Sequence, residues 1–269
     1  VGLPRAGVTG LMTCWNFGNM PSLGTEIAGE FSWAPQPSVA QGLRALAARN
    51  FGESVADEVV AAWEIMSRAH DAFPGSIPVM YVGPISRGPN FLFIFDQIDR
   101  RFPNSWLLDK EIEGDRLDWA TPFGPEKVLE CYRAEVAGGR PAVARLRAAL
   151  AKTTGEDRRR LERETGVMEF HLIQTQSAAN VVDFLLRRNE FYASTDAGEK
   201  AALLDRIEAI CRDELENAAA AIPLLQADPR LGWHGEAYGY MINVPAIEDK
   251  LARLRELVEV RLPQERARL

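Results

Sequence analysis

Residues suited to burial recur at alternating steps of four and three along one stretch of the chain: Leu161, Thr165, Met168, Leu172, Thr175, Ala179, Val182 and Leu186. Such spacing places every member on one face of a helix. It predicts a single helix from Asp157 to Tyr192, roughly 50 Å long at ~1.5 Å per residue. Around Val181–Leu186 the segment is apolar on nearly every side, so that part must be deeply buried. A short turn, Ser194-Thr195-Asp196, leads to a second stripe of Leu204, Ile207, Cys211, Leu215, Ala218, Ile222 and Leu225. A connection this short favours antiparallel neighbours. The fold class expected is therefore mainly α, an antiparallel bundle of long helices.

The remaining elements follow from caps and breakers. Ser38 is an N-cap candidate for a helix with Val39, Leu43 and Leu46 on one face and Gly52 as its stop. A helix from Ser54 to Phe73 carries Val55, Val59, Ala62, Met66, Ala69 and Phe73 inward. Prolines and glycines make 74–124 irregular, with Phe91–Phe95 as a short strand or a buried plug. Helices are expected at 125–137 and 140–153. Pro223 should kink or end the second long helix. A glycine-rich loop, Asp228–Tyr240, precedes a last helix with Asn243 as N-cap, Pro245 in its first turn, and Ile247, Leu251, Leu254 and Val258 inward. Residues 10–15 read as one buried strand ending in a turn, and 19–37 as an ordered loop. A lone strand leaves its edges unsatisfied and calls for a partner sheet. The organisation expected is thus 1–36 strand and exit loop, 37–124 helical pair with an aromatic-rich segment, and 125–269 long-helix bundle.

A net charge of −7 argues against nucleic acid as a partner. No apolar run approaches the ~20 residues of a membrane span. Three widely spaced cysteines, Cys14, Cys131 and Cys211, form neither a disulfide framework nor a zinc pattern and fit a reducing, cytoplasmic compartment. The chain opens on Val1, as a processed product or a fragment would. No phosphate-cradling loop, dinucleotide fingerprint or nucleophile elbow occurs, so no cofactor or metal is expected.

Two segments gather residue types that sites use, the first suited to a sugar and the second to a ligand-facing or interface loop. One holds Trp15, Asn16, Glu26, Glu30 and Trp33, combining flat aromatic faces with groups that hydrogen-bond hydroxyls. The other is Leu231–Tyr240, with Trp233, His234, Glu236 and Tyr238. The same aromatics also fit a core, and the same loop fits packing. Glu26 and Glu30 would neighbour each other only one helical turn apart, whereas they lie in a stretch read as loop. His234 and Glu236 could share a strand face, but a third metal ligand is lacking. Arg87 could clasp a carboxylate or lie on the surface. His70 and His171 sit beside apolar stripes and read as core-edge histidines.

The opening Gly10-Leu-Met-Thr-Cys-Trp-Asn-Phe-Gly-Asn-Met-Pro-Ser, running into Glu26-Ile-Ala-Gly-Glu-Phe-Ser-Trp, resembles the last barrel strand and exit loop of large bacterial (β/α)8 glycoside hydrolases. Leu46-Ala-Ala-Arg-Asn-Phe-Gly, Ala62-Trp63 with Ser67, and the late Asp228-Pro-Arg-Leu-Gly-Trp-His-Gly-Glu-Ala-Tyr-Gly-Tyr resemble their post-barrel helical region. α-Glucuronidase-like and hexosaminidase-like enzymes are the nearest comparison. A whole barrel needs ~250 residues and eight strand–helix units, and this chain offers one convincing strand and mostly helices, so the catalytic carboxylates would lie outside it. The resemblance implies a C-terminal helical domain of a carbohydrate-active enzyme, with Trp15, Asn16, Glu26, Trp33, Trp233, His234, Glu236 and Tyr238 on a substrate rim. Its partners would be a carbohydrate or an upstream catalytic barrel, and it could form a homodimer. The rival readings are a stand-alone helical interaction module and a small enzyme using Glu26 or Glu236.

Overall fold

A computed structural model describes residues 23–32, 37–103, 114–234 and 239–269. The strand expected at 10–15 lies outside them. In chain order the described elements are α1 (Leu23–Glu30), α2 (Val39–Phe51), α3 (Ala56–His70), α4 (Ile77–Tyr81), α5 (Pro125–Ala149), α6 (Gly155–Ala193), α7 (Ala197–Ala227), β1 (Trp233–His234), β2 (Gly239–Tyr240), α8 (Val244–Glu256) and α9 (Leu262–Arg266). The described fold is mainly α-helical, and its sheet is one antiparallel pair, Trp233 opposite Tyr240 and His234 opposite Gly239. No helix of the described residues is long and apolar enough to cross a membrane. The chain divides into two compact units, one of residues 1–68 with 139–168, the other of 69–138 with 169–269.

In the first unit, α2 begins with a reciprocal capping box between Ser38 and Gln41 and ends at Gly52, whose φ of 95° favours glycine. Leu46, Val55, Val59 and Ala62 are fully buried as the periodicity requires, but Val39, the first residue of α2, is 48% exposed. Phe51 and Trp63 meet edge to face at 6.1 Å. Trp63 Nε1 donates to Glu164 Oε1 at 2.7 Å. The segment 19–37 is not simply loop: Leu23–Glu30 is helical, and Asn50 and Arg49 hold its acidic residues from α2.

The second unit contains the antiparallel pair. Asn217 Nδ2 donates to the Ile173 carbonyl at 3.0 Å, Ser177 Oγ to Glu214 at 2.7 Å and Asn180 Nδ2 to Asp213 at 2.8 Å. As the number on α6 rises, its partner on α7 falls, which only an antiparallel arrangement produces. Along α6 all eight residues of the stripe, Leu161 to Leu186, are buried. Burying each large apolar side chain is worth about 1.5–3 kcal/mol. Pro223 does not end α7, which continues to Ala227. Nor does the chain break between 137 and 140: α5 is one helix with Pro141 inside it. Gly138 explains the local glycine, since a Cβ there would lie 3.1 Å from that of Ala69.

Phe91–Phe95 is the plug rather than a strand. Phe91 stacks on Phe102 at 4.5 Å, Phe93 meets Phe184 at 4.7 Å and Phe95 meets Phe191 at 5.4 Å. Arg87 is buried, against the surface alternative. α8 starts at its Asn243 cap, and Ile247, Leu251, Leu254 and Val258 are all buried. One π-helical turn, Leu257–Arg261, joins it to α9.

Candidate functional site

In the first unit the acidic pair of α1 is held from α2. Glu26 and Glu30 stand one turn apart on α1, and Arg49 reaches both, at 3.6 and 3.1 Å. Asn50 Nδ2 also donates to Glu26 at 2.8 Å. Trp15, Asn16, Trp33, Glu236 and Tyr238 lie outside the described residues. Trp233 and His234 form β1 in the second unit, where the Trp233 ring meets Tyr240 edge to face at 5.2 Å.

The chain contains three histidines, His70, His171 and His234, and all of them line one cavity of the second unit, about 530 Å³ in volume. Phe73, Met80, Ile85, Ser86 and Gln174 complete most of its wall. Gln174 Nε2 donates to the Ile85 carbonyl at 2.5 Å and so pins the irregular 83–90 segment to α6. Close approach is possible there because Gly88, at a φ of 38°, presents no Cβ to Gln174.

Behind this wall, two of the imidazoles meet one carboxylate. His70 Nδ1 is 2.7 Å and His171 Nε2 2.8 Å from the same oxygen, Oε1 of Glu135. The Glu135 side chain is 0% exposed, and His70 and His171 are 57% and 36% exposed. Three helices supply the three residues: His70 ends α3, Glu135 lies within α5 and His171 within α6. His70 is oriented by stacking on Phe73 at 5.2 Å. One turn before Glu135, the fully buried Tyr132 has a phenol pushed well above the ordinary range, by burial first and then by the Glu135 charge. Two imidazoles against a buried carboxylate can share or pass a proton, or can act together as donor atoms toward a cation.

The residues named from the sequence are thus only partly brought together. Trp233 and His234 are adjacent and His234 reaches the cavity wall, while Glu26 belongs to the other unit's ion pairs. Sequence reasoning missed His70, Glu135 and His171 as a group. Their separations of 65 and 36 residues match no motif. The available signal was that a chain so poor in histidine places two of them on inward-leaning helix faces. Comparison with protein-family models, curated proteins and solved structures gives no match to this chain.

Proposed function

We propose that this chain is a helical domain of a carbohydrate-active enzyme, and that its second unit holds a hydroxylated small molecule, a sugar, in the histidine-lined cavity. One observation carries the reading: all three histidines converge on a cavity of about 530 Å³ that also has an aromatic wall residue, Phe73. That volume falls within the ~300–1,000 Å³ of small-molecule sites. Imidazole, amide and hydroxyl edges beside a flat ring are the groups that hydroxyl-bearing rings engage. His234 links the cavity to the late loop that resembles the glycoside-hydrolase helical region. On this reading the catalytic carboxylates lie elsewhere, and the chain supplies recognition.

The test is binding of the purified chain to a glycan panel, followed by titration calorimetry on any hit. Saturable binding that weakens at least about tenfold in His234→Ala, with an unchanged circular dichroism spectrum, supports the proposal. A folded chain that binds no glycan, or that hydrolyses aryl glycosides by itself, overturns it. In the first of those cases the helical interaction module is the remaining reading, and light scattering would reveal its self-association.

A further inference from the structure

We propose that His70 Nδ1, His171 Nε2 and the Glu135 carboxylate bind a divalent transition-metal ion of the zinc class at the cavity wall. The inference rests on this cluster and not on the sugar proposed above. The three residues' donor atoms lie within 4.8 Å of one another, and among the described residues no other group of three or more His, Cys, Asp or Glu residues does so. Two imidazole nitrogens with one carboxylate form the donor set of zinc and non-haem iron sites that keep positions open. Calcium and magnesium prefer all-oxygen surroundings.

A second observation points the same way. Glu135 Oε2 is buried and makes no hydrogen bond among the described residues, and the side chain is 0% exposed. Removing a carboxylate from water is costly unless its charge is compensated and its lone pairs are used. A dication between the two imidazoles does both. The scaffold is firm on one side and adjustable on the other. Glu135 is set in a helix whose next turn, at Gly138, abuts Ala69, the neighbour of His70. His70, more than half exposed, gives an entry path. A cation bonding at ~2.0–2.2 Å sets neighbouring donors about 3 Å apart, so the present 2.7 and 2.8 Å need only a slight outward rotation of the rings.

The experiment uses the full chain after chelator treatment, with Zn²⁺ alone as the titrant in calorimetry and Co²⁺ as a spectroscopic substitute. Stoichiometric uptake of one ion is expected, with d–d absorption bands for the cobalt form. His70→Ala and His171→Ala should each lower Zn²⁺ affinity by at least about tenfold. Because His70 is exposed, its variant keeps the fold and protects the test from a misfolded Glu135→Gln. A wild-type chain that takes up no stoichiometric Zn²⁺ overturns the proposal, as does wild-type affinity in both histidine variants. Zn²⁺ is titrated without any glycan, so this outcome is independent of the sugar reading.

Discussion

Lys250 and Glu214 form an ion pair from which water is wholly excluded, both side chains being 0% exposed. The carboxylate also accepts from Ser177 and Asn180, at 2.7 and 2.8 Å. The Lys250 ammonium lies 5.1 Å from the centre of the Phe93 ring. Burial holds this lysine below its usual range, against the pull of Glu214. Desolvation consumes much of the attraction in such pairs, but leaving one member alone is expensive. Lys250→Met should therefore cost about 3–5 kcal/mol in urea unfolding. The double change with Glu214→Leu should cost clearly less than the two single changes together. A double-mutant cycle measures the coupling, and additive effects would contradict the account.

Asp115 gives a pH prediction. Burial pushes its carboxyl up, but backbone amides of Arg100, Ile98 and Asp99 and the Arg188 guanidinium outweigh burial and hold it below the ordinary 3.8. A carboxyl depressed in the native state binds fewer protons there than in the unfolded chain. Its stabilisation is fully present above the unfolded value and is lost as the pH falls through the native one. Asp115→Asn should destabilise the protein at neutral pH by about 3 kcal/mol, since Arg188 is left buried and unpaired. It should also flatten the acid limb of the stability profile below about pH 4. Denaturant melts across that limb check both expectations.

Glu164 behaves in the opposite sense. Burial raises its carboxyl above the ordinary range, and the indole of Trp63 only partly offsets this. The native state therefore holds its proton to higher pH than the unfolded state, and stability falls as pH rises from 4.5 through the native value. Glu164→Gln keeps an acceptor for Trp63 and removes the charge. Its melting temperature should exceed that of the wild type at pH 7, and the gain should vanish toward pH 4. Equal shifts at both pH values would argue for a packing effect instead.

Gly232 precedes the β1 pair that carries His234. A Cβ at this position would sit 1.8 Å from the Ile242 carbonyl oxygen. The same backbone approach makes the hydrogen bond from Ile242 N to the Gly232 carbonyl, at 3.2 Å. Gly232→Ala must force these two backbone segments apart and should cost about 3 kcal/mol, the upper range for overpacking. Thermal unfolding measures the loss. Hydrogen exchange at Ile242 should rise with it.

The repeating pattern on α6, the short turn at 194–196, and the caps at Ser38 and Asn243 were all legible because each is a local relation. Helical periodicity and end chemistry act over a few residues, and every member of the α6 stripe is buried as its spacing requires. The break expected between 137 and 140 and the end expected at Pro223 did not occur: a proline costs a helix one hydrogen bond and some crowding, and α5 and α7 nonetheless run through Pro141 and Pro223. Glu26 and Glu30 were legible as a carboxylate pair but not as partners of Arg49, which lies more than a helix away along the chain. The sequence alone therefore determined that the chain folds as paired long helices. Only the tertiary structure decided that Glu214 and Lys250 are interior, and that His70, Glu135 and His171 meet. Those outcomes depend on which helix faces which and at what height, a matter of packing between distant segments that no local spacing encodes.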